Sequence, residues 1–369
     1  MQTAKRKIII SGGGTGGHIF PAIAIANALK AKLVDVDILF IGAKDKMEME
    51  KVPKAGYPIE GLWISGFQRS LSAKNLSFPF KLISSLHKAG KIIKEFKPDL
   101  VIGVGGFASG PTLYKAAKMG IPTMIQEQNS YPGITNIILS KRVDKICVAY
   151  DNMEKHFPKE KIFLTGNPVR KEVVEIEGKR PRALEFFGLN NDKPIVLVVG
   201  GSLGARTINE AIEENLKTFI EHDIQLIWQT GKGYAPKAKS ALLDLNNDGL
   251  KTYDFITEMD LAYAAADIVV SRAGAIAISE LCAVKKPIIL VPSPFVAEDH
   301  QTKNALSLVT YNAAILVKDV EQKETLMPEI LSLVENEEIR EKLAANITSL
   351  AKNDATDAIV GVALTLFKQ

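Results

Sequence analysis

The sequence is poor in cysteine and histidine and lacks any long apolar run, and each shortage closes off a class of protein. Its two cysteines, Cys147 and Cys282, stand far apart and match no disulfide or metal spacing. They read as small apolar core residues in a reducing compartment. No run approaches the ~18 consecutive apolar residues of a membrane span, and RKIII leads into glycines rather than a cleavage site, so no secretory signal is expected. Aromatic residues are only 7% of the chain. The most basic stretch interleaves aliphatic rather than stacking aromatic side chains, and no RNA- or DNA-binding motif appears, so no nucleic-acid partner is expected.

What the chain does have is a glycine turn at two openings. Residues 6–17 read RKIIISGGGTGG and run into the apolar FPAIAIANALK; residues 193–205 read KPIVLVVGGSLGA and run into RTINEAIEENLK. Each is strand, glycine turn, helix, the start of a nucleotide-type βαβ unit in which backbone N–H groups approach phosphate without a Cβ in the way. Near-continuous apolar strands follow in both halves: VDILFIG, DLVIGVGG, PTMIQ and DKICVA, then IQLIWQTG, LKTYDFI, DIVVSRAG and KPIILVP. Such strands, alternating with helices, belong to parallel sheets covered on both faces. The fold class is α/β, two Rossmann-like domains facing a cleft. LTGNPVRKEV (164–173) breaks the pattern, giving a first domain of 1–168 completed by 350–369 and a second of 169–349; residues 322–369 read as helices only.

Three kinds of site are excluded by residues the loops do not carry. A dehydrogenase needs an acid at the tip of the second strand, but the strands end Phe40-Ile41-Gly42-Ala43 and Gln229-Thr230-Gly231. A P-loop needs GK[ST], whereas the first loop closes Gly16-Gly17-His18. The acidic pair Asp35 and Asp37 precedes its apolar run and reads as a solvated turn, so no metal and no cofactor are expected.

Charge divides the chain where the pattern breaks. Residues 1–168 carry 24 Lys+Arg against 13 Asp+Glu, and the remainder 22 against 29. The first half is therefore expected to meet something anionic. The excess is densest at 69–97, where Arg69, Lys74, Lys81, Lys88, Lys91, Lys94 and Lys97 face only Glu95, with Leu76, Phe78, Phe80, Leu82 and Ile83 among them. We expect Phe78, Phe80, Lys81, Leu82 and Lys88 to form a docking surface on an anionic membrane. In the second half, SRAGAIAISE places Glu280 in a helix where a carboxylate can accept both hydroxyls of a ribose. DFITEM offers backbone groups near Ile256 for the edge of a flat base. His18 sits at the mouth of a helix, whose dipole disfavours imidazolium and suits the ring to act as a base.

Seven segments then fall in a recognisable order: GGGTGGH (12–18), GVGGFASGP (103–111), QEQNSYPG (126–133), GNPVR (166–170), GGSLGAR (200–206), SRAGAIAISE (271–280) and PFVAEDHQTKNA (294–305). Over nearly its whole length the chain resembles the MurG family of N-acetylglucosaminyltransferases of peptidoglycan synthesis. The resemblance implies a GT-B fold, with the lipid-linked acceptor on the first domain, the sugar nucleotide on the second, and a last helix crossing back. It implies transfer of N-acetylglucosamine from UDP-N-acetylglucosamine to undecaprenyl-pyrophosphoryl-N-acetylmuramyl-pentapeptide, at the cytoplasmic face of the cell membrane, alongside other cell-wall synthesis and division proteins. By motif match Ser202 would touch the pyrophosphate, Arg170 the nucleotide, Ile256 the uracil and Glu280 the ribose. Asn129, Ala275, Gln301 and Asn304 would surround the sugar, and Thr15, Gly16 and Gly17, in the cleft loop, would also bind the sugar nucleotide. Gly105, Gly106, Phe107 and Ser109 form the acceptor loop, and His18 and Glu127 lie closest to the chemistry. Phe107, Gln126 and Ala277 stand where some members carry Tyr, His and Thr. A sugar-nucleotide epimerase, or a glycolipid synthase with a diacylglycerol acceptor, is the competing reading of the same fold.

Overall fold

The computed structural model describes residues 5–66 and 77–367; Arg69, Lys74 and Leu76 of the basic segment lie outside the described residues. Two compact units result, one of residues 1–168 with 354–369 and one of residues 169–353. The crossing back comes at Asp354 rather than at 350, because the helix over Glu337–Leu350 belongs to the second unit and is followed by a short turn.

In the first unit the strands are β1 (Arg6–Ser11), β2 (Val36–Ala43), β3 (Ile59–Leu62), β4 (Leu100–Gly103), β5 (Thr123–Glu127), β6 (Lys145–Val148) and β7 (Ile162–Leu164). The helices are α1 (Gly16–Lys32), α2 (Glu48–Lys54), α3 (Phe78–Phe96), α4 (Ser109–Lys118) and α5 (Ile134–Ser140). The sheet is parallel in the order β3-β2-β1-β4-β5-β6-β7. Ile8, Ile9 and Ile10 are all fully buried because the strand has a packed layer on each side. Ile8 and Ile10 meet Ile19 and Ile25 of α1; Ile9 meets Ala89 and Ile93 of α3 and Leu113 of α4. Alternation along the strand sends neighbours to opposite layers.

The second unit runs α6 (Lys171–Val174), α7 (Arg180–Phe187), β8 (Ile195–Val199), α8 (Arg206–Glu214), α9 (Leu216–Glu221), β9 (Gln225–Gln229), α10 (Ala235–Leu245), β10 (Leu250–Tyr253) and α11 (Met259–Ala265). It continues with β11 (Ile268–Ser271), α12 (Ala275–Val284), β12 (Ile288–Leu290), α13 (His300–Val309), β13 (Ile315–Leu316), α14 (Gln322–Glu335) and α15 (Glu337–Leu350). Its sheet is parallel, β10-β9-β8-β11-β12-β13. Val196 and Val198 pack on Ile208 and Ile212 of α8 and on Ile330 of α14. The last helix, α16 (Ala355–Leu364), rejoins the first unit against α1.

Both sheets reverse direction at their first strand. β1 lies between β2 and β4, and β8 between β9 and β11. Connections leaving such neighbours go to opposite sides, which opens a crevice at the strands' carboxyl ends. Each glycine loop foreseen from the sequence leaves the sheet there, with Ser11 paired to Gly103 and Val199 to Ser271. β4 stops at Gly103, short of the expected Gly106, because Gly105 (φ +94°) and Gly106 (φ +88°) turn the chain out of the sheet. The short strands β3, β7 and β13 carried too few residues to show a pattern.

Candidate functional site

In the first unit the loops after β1 and β4 nest into each other. A Cβ at Gly106 would lie 2.3 Å from the Gly13 carbonyl oxygen, and one at Gly105 would lie 2.7 Å from Cδ2 of His18. These glycines therefore admit the neighbouring loop and the imidazole. His18 is half-buried in the first turn of α1, with Nδ1 3.0 Å from the carbonyl of Gly13 and 3.4 Å from the hydroxyl of Thr15. A carbonyl only accepts, so the ring proton sits on Nδ1, and in the neutral ring Nε2 carries the lone pair. Thr15 and Gly17 are exposed and Gly16 half-buried at the same mouth. Phe107 is exposed, its ring over Gly66. Ser109 is different: it is fully buried, its hydroxyl 2.7 Å from the carbonyl of Ser11 and 2.9 Å from that of Gly105. It joins α4 to β1 rather than facing an acceptor, because the first turn of α4 is packed under the loop.

Glu127 ends β5 and is buried. One carboxylate oxygen accepts from the backbone and side-chain amides of Asn129 (3.0 and 3.2 Å). The other accepts from Gly133 N (3.1 Å) and Asn136 Nδ2 (2.8 Å). Four donors on two oxygens make Glu127 the organiser of the 129–136 loop and hold Asn129 half-buried at its edge. Beside it Gln126 donates to Asn167 (2.9 Å) and Asn167 to the carbonyl of Gln128 (3.0 Å), which anchors the chain just before Pro168.

In the second unit, Ser202 is exposed on the loop between β8 and α8. The loop is braced on the tip of β9: a Cβ at Gly204 (φ +78°) would lie within 2 Å of the Thr230 carbonyl. The amide of Gln229 spans two motifs, donating to the carbonyl of Gly201 (3.1 Å) and accepting the N–H of Ile256 (2.9 Å). The Ile256 N–H is thus engaged inside the protein. Glu280 lies on α12 with 6% of its surface exposed, and its Oε1 accepts from Nε (3.2 Å) and Nη2 (3.0 Å) of Arg170. Burial raises the Glu280 carboxyl above its usual range, and Arg170 opposes the rise. Ala275 opens α12. Gln301 accepts the N–H of Ser293 (2.8 Å), steadying the chain after β12. Asn304 is completely buried, with its amide 3.4 Å from the carbonyl of Ala273, so it supports the SRAG turn instead of lining a sugar pocket.

Three residues escaped the sequence reading. Gln229 is one. Arg272 is another: it fastens the β11 tip to Thr207 of α8 and to Asp319, a half-buried cluster. The third is Glu48, in the charged run KDKMEMEK, which gives no hint of burial. Asp35 lies exposed in the turn before β2, while Asp37 is the second residue of that strand rather than part of the turn; the carboxylates of both lie near Lys5.

The expected docking surface needs the largest correction. On α3, Phe78 and Leu82 pack against the first unit's core. Lys81 bonds Ser65 (3.0 Å) and lies over the Trp63 ring; Lys88 pairs with Glu60 and the carbonyl of Gly61, each at 2.9 Å. Of the five expected residues only Phe80 is exposed, at 70%. The helical period turns 78, 82, 85, 89 and 93 inward, so the outward stripe is Phe80, Ile83, His87, Lys91 and Lys94. Among the described residues no helix is long and apolar enough to cross a membrane.

Residues 8–148 match the N-terminal domain of glycosyltransferase family 28, and residues 195–360 match its C-terminal domain. The chain is 56% identical to a protein of Cytophaga hutchinsonii (96% of this chain, 95% of that one) and 54% identical to one of Parabacteroides distasonis (96% and 97%). Both carry the name UDP-N-acetylglucosamine–N-acetylmuramyl-(pentapeptide) pyrophosphoryl-undecaprenol N-acetylglucosamine transferase. Among solved structures, MurG of Acinetobacter baumannii is similar at 27% identity and a TM-score of 0.80, covering 98% of this chain and 99% of that one.

Proposed function

Because the chain belongs to glycosyltransferase family 28, with two parallel-sheet units of the GT-B type, we propose that it transfers N-acetylglucosamine from UDP-N-acetylglucosamine to the 4-hydroxyl of a polyprenyl-pyrophosphoryl-muramyl-pentapeptide. The observation that carries this reading is identity above 50% to transferases of that name along nearly the whole chain. The first unit supplies the acceptor side and the second the donor side.

The transfer is a single displacement with inversion at the anomeric carbon. His18, its proton held on Nδ1, takes the acceptor hydroxyl proton at Nε2 as the hydroxyl oxygen attacks. Charge developing on departing UDP meets the backbone N–H groups of the loop around Ser202 and the N-terminus of α8. Glu280 holds the ribose through Oε2, while Arg170, fixed on Oε1, faces the nucleotide; the Ile256 carbonyl accepts from the base. Ala275 and Gln301 border the sugar. Glu127 acts at one remove, by shaping the loop that carries Asn129.

The test is transfer of radiolabel from UDP-N-acetylglucosamine to a lipid-linked muramyl-pentapeptide, with an acceptor-free control. Label in the lipid, one UDP per sugar transferred and inversion support the reading. Epimerised sugar nucleotide with no acceptor requirement assigns the chain to the epimerase reading instead.

An acceptor with a polyprenyl tail stays in the bilayer, so the enzyme docks peripherally at the inner face of the cell membrane, where other cell-wall synthesis and division proteins work. The outward stripe of α3 offers Phe80 and Ile83 to the interface and Lys91, Lys94 and the following Lys97 to anionic headgroups. Reversing Lys91 and Lys94 to Glu is expected to remove at least roughly 2 kcal/mol, about thirtyfold in partitioning, at low salt. Co-sedimentation with anionic and neutral vesicles at two salt concentrations measures it. Equal binding to both lipids, unmoved by salt or by the reversals, removes the stripe from the mechanism.

A further inference from the structure

We propose that Glu48 is a positioning residue for His18, acting through the single peptide group that joins Gly13 to Gly14. The proposal rests on the reading of His18 as the base.

Glu48 opens α2, and its side chain turns inward beneath the tips of β1 and β2, where 1% of it is exposed. Its partners are two backbone amides, Ala43 N on Oε1 (3.0 Å) and Gly14 N on Oε2 (2.8 Å). The fold is cut to admit it: a Cβ at Gly13 would fall 2.2 Å from Oε1, and a Cβ at Gly42 2.5 Å from Cγ. A carboxylate buried at such a cost in hydration, in a space two glycines leave for it, holds something in place.

What it holds is one peptide plane. The N–H of Gly14 points to Glu48, and the carbonyl of the same peptide, that of Gly13, accepts from Nδ1 of His18 at 3.0 Å. A trans peptide places its N–H and C=O on opposite sides, so fixing one end aims the other. Gly12, Gly13 and Gly14 form a backbone free to flip that plane, with Gly14 at φ +88°. A flipped peptide would present its N–H to the imidazole, drive the ring proton to Nε2 and abolish the acceptor that the reaction needs. The same flip would point a carbonyl oxygen at the carboxylate. Glu48 forbids it by repulsion, and its pull on the N–H strengthens the carbonyl as an acceptor for His18.

Glu48→Gln tests this with almost no change in volume. The amide can accept one of the two N–H groups, and its NH2 then welcomes a carbonyl, so the flip is no longer penalised. The probe is the 15N spectrum of histidine-labelled full-length protein, with the His18 signals identified by their loss in His18→Ala. Wild type is expected to show the Nδ1–H tautomer and the variant a shift toward Nε2–H. A wholly wrong tautomer costs up to about 10⁴-fold in a hydrolase triad, so a partial shift is expected to lower kcat about tenfold or more. KM for UDP-N-acetylglucosamine should stay within about twofold, since the groups assigned to the nucleotide, Arg170, Ser202, Ile256 and Glu280, lie in the other unit, and a merely structural role would not divide kcat from KM in this way. An Nε2–H tautomer in wild type overturns the proposal without any variant, so it stays testable if Glu48→Gln fails to fold. So does an unchanged tautomer and kcat in a folded Glu48→Gln. Full turnover in His18→Ala sinks the base reading alone, because the tautomer shift still reports on Glu48.

Discussion

His18→Ala is expected to lower kcat about 10²–10⁴-fold while leaving KM for the sugar nucleotide within about a factor of two. The reason is division of labour. His18 sits in the first unit, whereas Arg170, Ser202, Ile256 and Glu280, the residues assigned to the nucleotide, belong to the second. Removing the ring takes away the proton acceptor together with its contacts to the Gly13 carbonyl and the Thr15 hydroxyl, all within the first unit. Steady-state kinetics with single-turnover measurements, to establish that transfer limits the rate, provide the check. A variant with near-normal turnover would send the search for the base elsewhere. Glu127 is a poor successor, because its four amide donors already occupy both oxygens.

The second large effect belongs to Glu280. Its replacement by alanine is expected to weaken UDP-N-acetylglucosamine binding by about 1.5–3 kcal/mol, roughly ten- to 150-fold. The loss includes both the ribose contact at Oε2 and the setting of Arg170 at Oε1. The carboxyl also gives the site a pH dependence. Burial raises it above the ordinary range, so as pH falls it takes up a proton earlier than an exposed glutamate does, and the neutral acid is a weaker acceptor for ribose and for Arg170. Donor affinity should therefore decline on acidification from a pH above the usual ~4.3 of glutamate. Calorimetric titration across that range measures it, with Glu280→Gln as the control in which this decline disappears. Wild-type affinity in a folded Glu280→Ala would rule out the ribose assignment.

How much of this was legible in the sequence depends on the kind of signal each part leaves. The glycine loops at 12–17, 103–106 and 200–204 were legible because only glycine tolerates what the structure places there: another loop's carbonyl, an imidazole, a strand tip. The apolar strands were legible because burial on both faces demands unbroken aliphatic runs. A helix's facing was not read correctly: α3 carries lysines all round, and only packing shows that Lys88 folds onto β3 and Lys81 onto Trp63 and Ser65 just after it, while Lys91 and Lys94 point outward. Motif likeness grouped Asn304 and Ser109 with residues that touch substrate. Both are buried braces, and a motif preserves braces as firmly as it preserves contacts. Glu48 left no trace, since an acid amid charged neighbours looks like any solvated helix start.

The packing of α16 on α1 reverses the order in which the two units reach completion during synthesis. Ile359, Val360 and Ala363 are wholly buried in the same core as Ile8, Ile19 and Ile25, and Lys32 meets Asp357 at 2.9 Å. That face of the first unit has no cover while residues 169–353 are being translated, an interval of roughly 10–40 s at ~5–20 residues per second. The unit begun first is thus finished last, and the nascent chain carries an open apolar surface on the ribosome until the final helix emerges to close it.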